Sequence, residues 1–265
     1  MSGYVLFQMW GPFRQSLIAS HLFYVEQAKK RLLSQFLDIE SEAEKATEAW
    51  LEESGRRFNP DFHDPGDFYE AAHHAGIEFY ELLTDMRDQT KLSVLAGMYH
   101  EWDKQLRKWL TDEIRHWHTG DGLASKVWTV DFGKLADLLE NLGWSIRNKD
   151  YFSKLDACRL IVNVYKHGKG NSLNDLKKSY PEYLPGPLDS LRNQFLGLDL
   201  LDYNNLLVSD DQLQSFSGSI VAFWKDVPEN IFDSDDISAP AWFESARLRD
   251  LKVASQLTQG GAMNE

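Results

Sequence analysis

One stretch of the sequence, residues 159–169 (RLIVNVYKHGK), sets polar side chains of three different kinds among apolar ones. At about 100° per residue of an α-helix, four polar residues fall within one sector of roughly 80°: Asp156, Arg159, Asn163 and His167. Arginine binds a phosphate through a fixed fork of donors, asparagine donates and accepts at once, and histidine moves a proton near neutral pH. This set suits attack of a ribose 2′-hydroxyl on the adjacent phosphate of RNA, which needs no metal.

In such a reaction we expect Arg159 to hold the phosphate, His167 to act as acid or base, and Asn163 to hold the histidine or the RNA. The reaction requires no cofactor. A structural interpretation competes with it, because a polar row on a bundle helix is commonly solvated or forms an internal network. Asp156 and Arg159 have the spacing of an i, i+3 ion pair, and a histidine near a helix C-terminus interacts favourably with the helix dipole.

The motif N-x-x-x-H, present as VNVYKHG on the last helix of a predicted bundle, resembles the HEPN superfamily. The family pattern is an arginine, commonly followed by a polar residue, with histidine after a gap of four to six residues. Asn163 and His167 match the polar residue and the histidine. Val162 stands at the arginine position, and Arg159 precedes His167 by eight positions.

This resemblance covers roughly residues 67–170. It implies an all-α fold and a metal-independent endoribonuclease of a bacterial toxin–antitoxin or antiviral defence system. It also implies a homodimer, because such domains build one composite cleft from the facing last helices of two subunits.

The residues around this helix are locally basic, although the whole chain carries a net charge of −13. An acidic surface repels a phosphate backbone, so any RNA contact requires a local positive patch. We expect four residues to bind the nucleic acid: Arg147, Lys149, Lys166 and Lys169.

Other reactive residue types do not form a recognisable site in the sequence. The histidines have neither H-x-x-x-H nor H-E-x-x-H spacing, so we predict no metal site. Cys158 is the one cysteine and lies on the apolar side of its helix, so a buried structural thiol is favoured over a nucleophile. A single cysteine permits no intrachain disulfide, which fits a reducing cytosol.

The remaining sequence predicts a mainly helical protein that lies in the cytoplasm and has no contact with a membrane. No stretch approaches 18 apolar residues without charges, and the first residues lack the pattern of a signal peptide. Hydrophobic residues recur at helical spacing in six segments, with Asp67, Asp131 and Ser209 as predicted N-caps: 13–54, 67–90, 91–118, 132–144, 151–167 and a segment after Ser209.

Four consecutive helices with short or moderate connections indicate an antiparallel helical bundle with an N-terminal helical extension and a C-terminal helical appendix. The predicted divisions are an N-terminal helical arm, a HEPN-like four-helix bundle, the helical appendix and an acidic, partly flexible tail: 1–66, 67–170, 171–228 and 229–265.

Two functions remain open from the sequence. The first is a bacterial defence or stress protein that binds or cleaves RNA through Arg159, Asn163 and His167. The alternative is a non-catalytic helical interaction protein, a dimer or partner-binding subunit of a defence complex, in which the same helix forms an interface. The expected partners are a second copy of the chain, RNA and a protein of a defence system.

Overall fold

Helices form nearly all of the regular structure in the computed structural model, which describes residues 4–185, 201–233 and 239–261. In chain order the elements are β1 (Val5–Gln8), α1 (Gly11–Arg31), α2 (Ile39–Gly55), α3 (Pro65–Trp117), α4 (Gly122–Thr129), α5 (Phe132–Asn141), α6 (Asp150–His167), α7 (Asn171–Ser179), α8 (Asp210–Asp226), β2 (Asn230–Phe232) and α9 (Ala241–Gly261). The predicted fold class, an all-α helical bundle, is confirmed. In the described residues, no helix is both long and apolar enough to cross a membrane.

Helix α3 is the longest element, with 53 residues and a length of about 80 Å at 1.5 Å per residue. It begins at Pro65, where the Asp64 carboxylate accepts a hydrogen bond from the Gly66 N–H at 2.8 Å. The prediction of two helices, one from Asp67 to residue 90 and a second from 91, is wrong. No glycine or proline interrupts residues 77–96, so the backbone continues through the expected break.

Helix α2 packs antiparallel against the first half of α3, and we call residues 38–90 the acidic hairpin. The two helices approach closely at Gly76, where an added Cβ would overlap Thr47 and come within 3.3 Å of the Ala43 carbonyl oxygen. Before Leu92, the buried residues of α3 are Ala72 and Gly76 alone. The first half of α3 therefore contributes little to the main core.

The second half of α3 forms the main core with α5, α6 and α8. The Trp102 ring packs edge-on against Phe132 and Phe223, with ring centroids 5.3 Å and 5.1 Å apart. Trp102 and Trp224 are both less than 2% exposed. Burying aromatic surface of this size stabilises the fold by several kcal/mol, at roughly 25 cal/mol per Å².

The two ends of the described chain are fastened to this core. Strand β1 pairs antiparallel with β2, with Val5 opposite Phe232 and Gln8 opposite Asn230. Helix α9 docks through Asp250, which accepts hydrogen bonds from the Leu123 N–H at 2.8 Å and the Gly122 N–H at 3.1 Å. The segment predicted as a partly flexible tail, 229–265, thus contains a paired strand and a docked helix.

Candidate nucleic-acid interface

Helix α6 is surrounded by the core on most of its circumference. It runs unbroken to His167 and ends at Gly168, whose φ of +66° is a conformation that favours glycine. Cys158 is fully buried, and burial raises the pKa of its thiol, which is the environment of a structural cysteine.

Between Leu155 and the end of α6, the residues that the core does not cover fall, apart from Tyr165, in a sector of roughly 100°. We call them the polar strip: Asp156, Arg159, Asn163, Lys166 and His167. The three residues predicted to act on RNA therefore lie on one strip that the core leaves partly or fully uncovered.

At one end of the polar strip, Arg159 is held by an ion pair. Its Nε and Nη2 donate to the Asp156 Oδ1 at 3.0 Å and 2.7 Å, and both side chains are between one quarter and one third exposed. The Tyr180 hydroxyl donates to the Asp156 Oδ2 at 3.2 Å. Burial and the Asp156 charge raise the pKa of Tyr180 to about 12, so that this hydroxyl stays protonated. The Nη1 of Arg159 makes no hydrogen bond within the described residues.

The other two predicted residues are unpaired. Asn163 is half-buried and His167 is exposed, and neither side chain has a hydrogen-bond partner within the described part of the chain. Each pair of neighbours among Arg159, Asn163 and His167 is separated by four residues, or about 6 Å along the axis. Arg159 and His167 are therefore about 12 Å apart along the helix.

The four predicted basic residues divide into two pairs. Lys166 and Lys169 are exposed and have no ion-pair partner among the residues described. Arg147 is engaged near the start of α6: its Nη2 donates to the Asp137 carboxylate at 2.7 Å and to the Gly133 carbonyl oxygen at 3.2 Å. Of the four predicted residues, Lys166 and Lys169 are therefore the two without an ion-pair partner in the described part of the chain.

Lys149 belongs to a structural cluster around Asp226 at the end of α8. Its Nζ lies 3.0 Å from the Asp226 Oδ1, while the Trp144 indole N–H and the Tyr151 hydroxyl donate to the Oδ2, each at 2.8 Å. Burial alone would raise the pKa of Asp226, but these donors outweigh it and lower the pKa. Lys149 thus stabilises the junction of α8 with α6.

Three aromatic side chains lie along the polar strip, and sequence reasoning missed them. Phe152 stands one turn before Asp156, and Tyr180 binds the Asp156 carboxylate. The Tyr203 ring lies 3.5 Å from the position that a Cβ would take on Gly168, and Tyr203 is 42% exposed. Tyr203 is the exposed ring of the three, and an exposed ring beside cations is a platform on which a base of a single strand stacks.

Helix α3 supplies one wall of the strip. The Ser93 and Tyr165 hydroxyls are 2.7 Å apart and join α3 to α6. About two helical turns further along α3 lies His100, which is half-buried. Burial lowers the pKa of His100 most, and the charge of the nearby Lys166 lowers it further. His100 is therefore a neutral imidazole beside the strip at pH 7.

A concave surface lies between α1 and α3 and is mostly apolar. This groove has a volume of about 570 Å³, and its lining includes His21, Phe23, Tyr24, Met98 and Trp102. His21 is buried, with its Nε2 2.9 Å from the Ser217 Oγ, and burial lowers the pKa of the imidazole. The groove has the size of a small-molecule site, and its lining is mainly apolar.

The described residues contain no group of three histidine, cysteine, aspartate or glutamate side chains close enough to bind a metal ion. Comparisons of the chain with protein-family models, with curated proteins and with solved structures each gave no match. Function must therefore follow from the residues and their geometry.

Proposed function

We propose that this protein binds single-stranded RNA along the polar strip of α6. The observation that carries the proposal is the pair of exposed cations Lys166 and Lys169, which have no ion-pair partner among the described residues. Gly168, which stands between them in the chain, lies beside the exposed Tyr203 ring, and Lys166 shares its strip with Arg159. Residues 147–178 contain eight Lys and Arg against three Asp, a net charge of +5 in a chain of −13. Local cations with interleaved aromatic rings are the features that single-strand binding requires.

The spacing of the strip favours binding of successive phosphates over reaction at one of them. Acid–base cleavage needs the histidine and the phosphate-holding arginine within hydrogen-bond reach of one phosphodiester. Arg159 and His167 lie about 12 Å apart along one helix, and Arg159 is already paired with Asp156. Cleavage would therefore need a second copy of the chain, which would bring its own His167 opposite Arg159.

The proposal includes the setting that the HEPN resemblance implies, a bacterial defence or stress response in the cytoplasm. The second candidate function is a non-catalytic interaction protein. One observation favours it: the Asp156, Arg159 and Tyr180 contacts tie α6 to the segment after α7, as an internal network would.

RNA binding is tested by fluorescence anisotropy with a labelled 16-nucleotide single-stranded RNA at 50 to 300 mM NaCl. We expect Lys166→Glu with Lys169→Glu to weaken binding about tenfold or more. The slope of the logarithm of the affinity against the logarithm of the salt concentration should become less steep by about 0.7 for each phosphate that the variant no longer binds. The matched control, Lys126→Glu with Lys252→Glu, makes the same change of charge on exposed residues of α4 and α9.

Equal losses in the two double variants would show that only the net charge matters and would contradict the strip as a site. Absence of binding by the wild-type chain at 50 mM NaCl would also contradict the proposal. Cleavage is followed with the same RNA in EDTA. Any cleavage that belongs to the strip should disappear in His167→Ala, while the affinity stays within about threefold because Lys166 and Lys169 are unchanged.

A further inference from the structure

The acidic hairpin carries most of the net charge of the protein. Residues 38–90 contain fifteen Asp and Glu but only four Lys and Arg, so they account for −11 of the total of −13. The other 212 residues together are nearly neutral. This separation of charge directs any electrostatic attraction of a basic partner to the hairpin.

The same hairpin exposes a row of apolar side chains on α3, which we call the seam. Ala75, Phe79, Leu82 and Met86 follow each other at steps of four, three and four residues, so they share one face of the helix. Phe79 is 38% exposed, Leu82 61% and Met86 59%. No residue of α3 between 77 and 91 is buried, so the seam has no cover within the described chain.

The seam has different neighbours on its two sides. On one side lies the face of α3 that packs against α2 through Ala72 and Gly76. On the other side lies a row of exposed carboxylates, at roughly 40 to 100° around the helix from Leu82: Glu78, Glu81 and Asp85. An apolar row beside acidic residues is the arrangement that a helix with an apolar face and flanking cations would complement.

We propose that the seam docks a Lys- and Arg-rich amphipathic helix of a partner protein. Apolar residues of that helix cover Phe79, Leu82 and Met86, and its flanking cations meet Glu78, Glu81 and Asp85. A second copy of this chain is a poor occupant of the seam, because it would bring another −11 charges against the same carboxylates. This surface is separate from the polar strip, so the inference goes beyond the proposed RNA binding.

The test uses the full chain and two synthetic 21-residue helical peptides. Both carry leucine at the a and d positions, and the flanking positions carry lysine in one peptide and glutamate in the other. Isothermal titration calorimetry at 50 mM NaCl should show binding of the lysine peptide at least tenfold tighter than the glutamate peptide. The affinity should fall at 300 mM NaCl because the attraction is screened.

The decisive variant is Leu82→Gln with Met86→Gln, which removes apolar surface and leaves every charge in place. We expect the affinity for the lysine peptide to fall about tenfold or more, since these side chains are the centre of the contact. The control, Trp128→Gln with Leu248→Gln, removes exposed apolar side chains outside the hairpin, which are 46% and 49% exposed. It should leave the affinity unchanged, and circular dichroism verifies the helix content of both variants.

Three results would overturn the inference. If Leu82→Gln with Met86→Gln leaves the peptide affinity unchanged, the peptide is held by electrostatic attraction alone and the seam is not its binding site. If the glutamate peptide binds equally well, charge does not select the partner. If sedimentation shows a wild-type dimer that this variant abolishes, a second copy occupies the seam. Lys166→Glu with Lys169→Glu should leave peptide binding intact, which separates failure here from failure of the RNA proposal.

Discussion

The acidic hairpin and the main core differ in where their apolar side chains lie. In the core, Trp102 and Phe223 are almost completely covered, whereas Leu82 and Met86 in the hairpin are more than half exposed. Both regions share α3, so the helix backbone is the same and only the packing differs. The core therefore determines the stability of this fold, while the hairpin carries apolar surface that the fold leaves uncovered.

The largest difference between the two regions is expected from a pair of leucine truncations on α3. Leu106→Ala in the core should lower the free energy of unfolding by about 3 kcal/mol, because a fully buried leucine leaves a cavity. Leu82→Ala in the hairpin should change it by less than about 0.5 kcal/mol. Urea denaturation followed by circular dichroism measures both. Similar losses at the two positions would show that the seam is covered in solution.

A smaller effect is expected from adding one methyl group to a helical glycine. Gly76→Ala places the methyl against Thr47 and should destabilise the hairpin by about 1–2 kcal/mol. Gly218→Ala in α8 meets nothing within 4 Å and should stabilise the core by about 0.5–1 kcal/mol.

Hydrogen exchange locates these two changes. In Gly76→Ala, the amides of α2 and of residues 65–90 should exchange faster, while those of α6 keep the wild-type rate. Faster exchange throughout the chain would show that the hairpin and the core unfold as one unit.

The smallest expected effect concerns His21, a buried histidine of the core, and the way in which the free energy of unfolding depends on pH. Burial lowers the pKa of His21 below the 6.5 of an unfolded chain, so the unfolded state binds this proton first. The contribution of neutral His21 to the free energy of unfolding is complete above pH 6.5. It is lost as the pH falls towards the pKa of His21 in the folded state. Free energies of unfolding from pH 7.5 to 5 should therefore decline less steeply in His21→Gln than in the wild type. Parallel curves would contradict the assignment.

Sequence reasoning was most accurate where structure is encoded within a few residues. The sequence predicts a helix over 151–167, and α6 spans Asp150–His167, since Gly168 ends it with a positive φ. The Asp131 side chain accepts from the Lys134 N–H at 2.9 Å, and Ser209 forms the predicted capping box with Gln212. Such caps depend on three neighbouring residues, so the sequence contains the information they need.

Contacts between segments that are distant in the chain could not be predicted from the sequence. The Asp156 and Arg159 ion pair follows from i, i+3 spacing, but Tyr180 and Tyr203 reach the strip only through the tertiary fold. Lys149 looked free in the sequence because its partner, Asp226, lies 77 residues away. Local charge counts therefore identify a basic segment but do not tell which of its cations remain available.

The continuity of α3 has a mechanical consequence. Met86 of the seam and His100 beside the polar strip are fourteen residues apart on one unbroken helix, or about 21 Å along its axis. No loop between them can absorb a twist or tilt. A rotation of α3 about its own axis would therefore move Met86 and His100 together, because both belong to the same rigid segment.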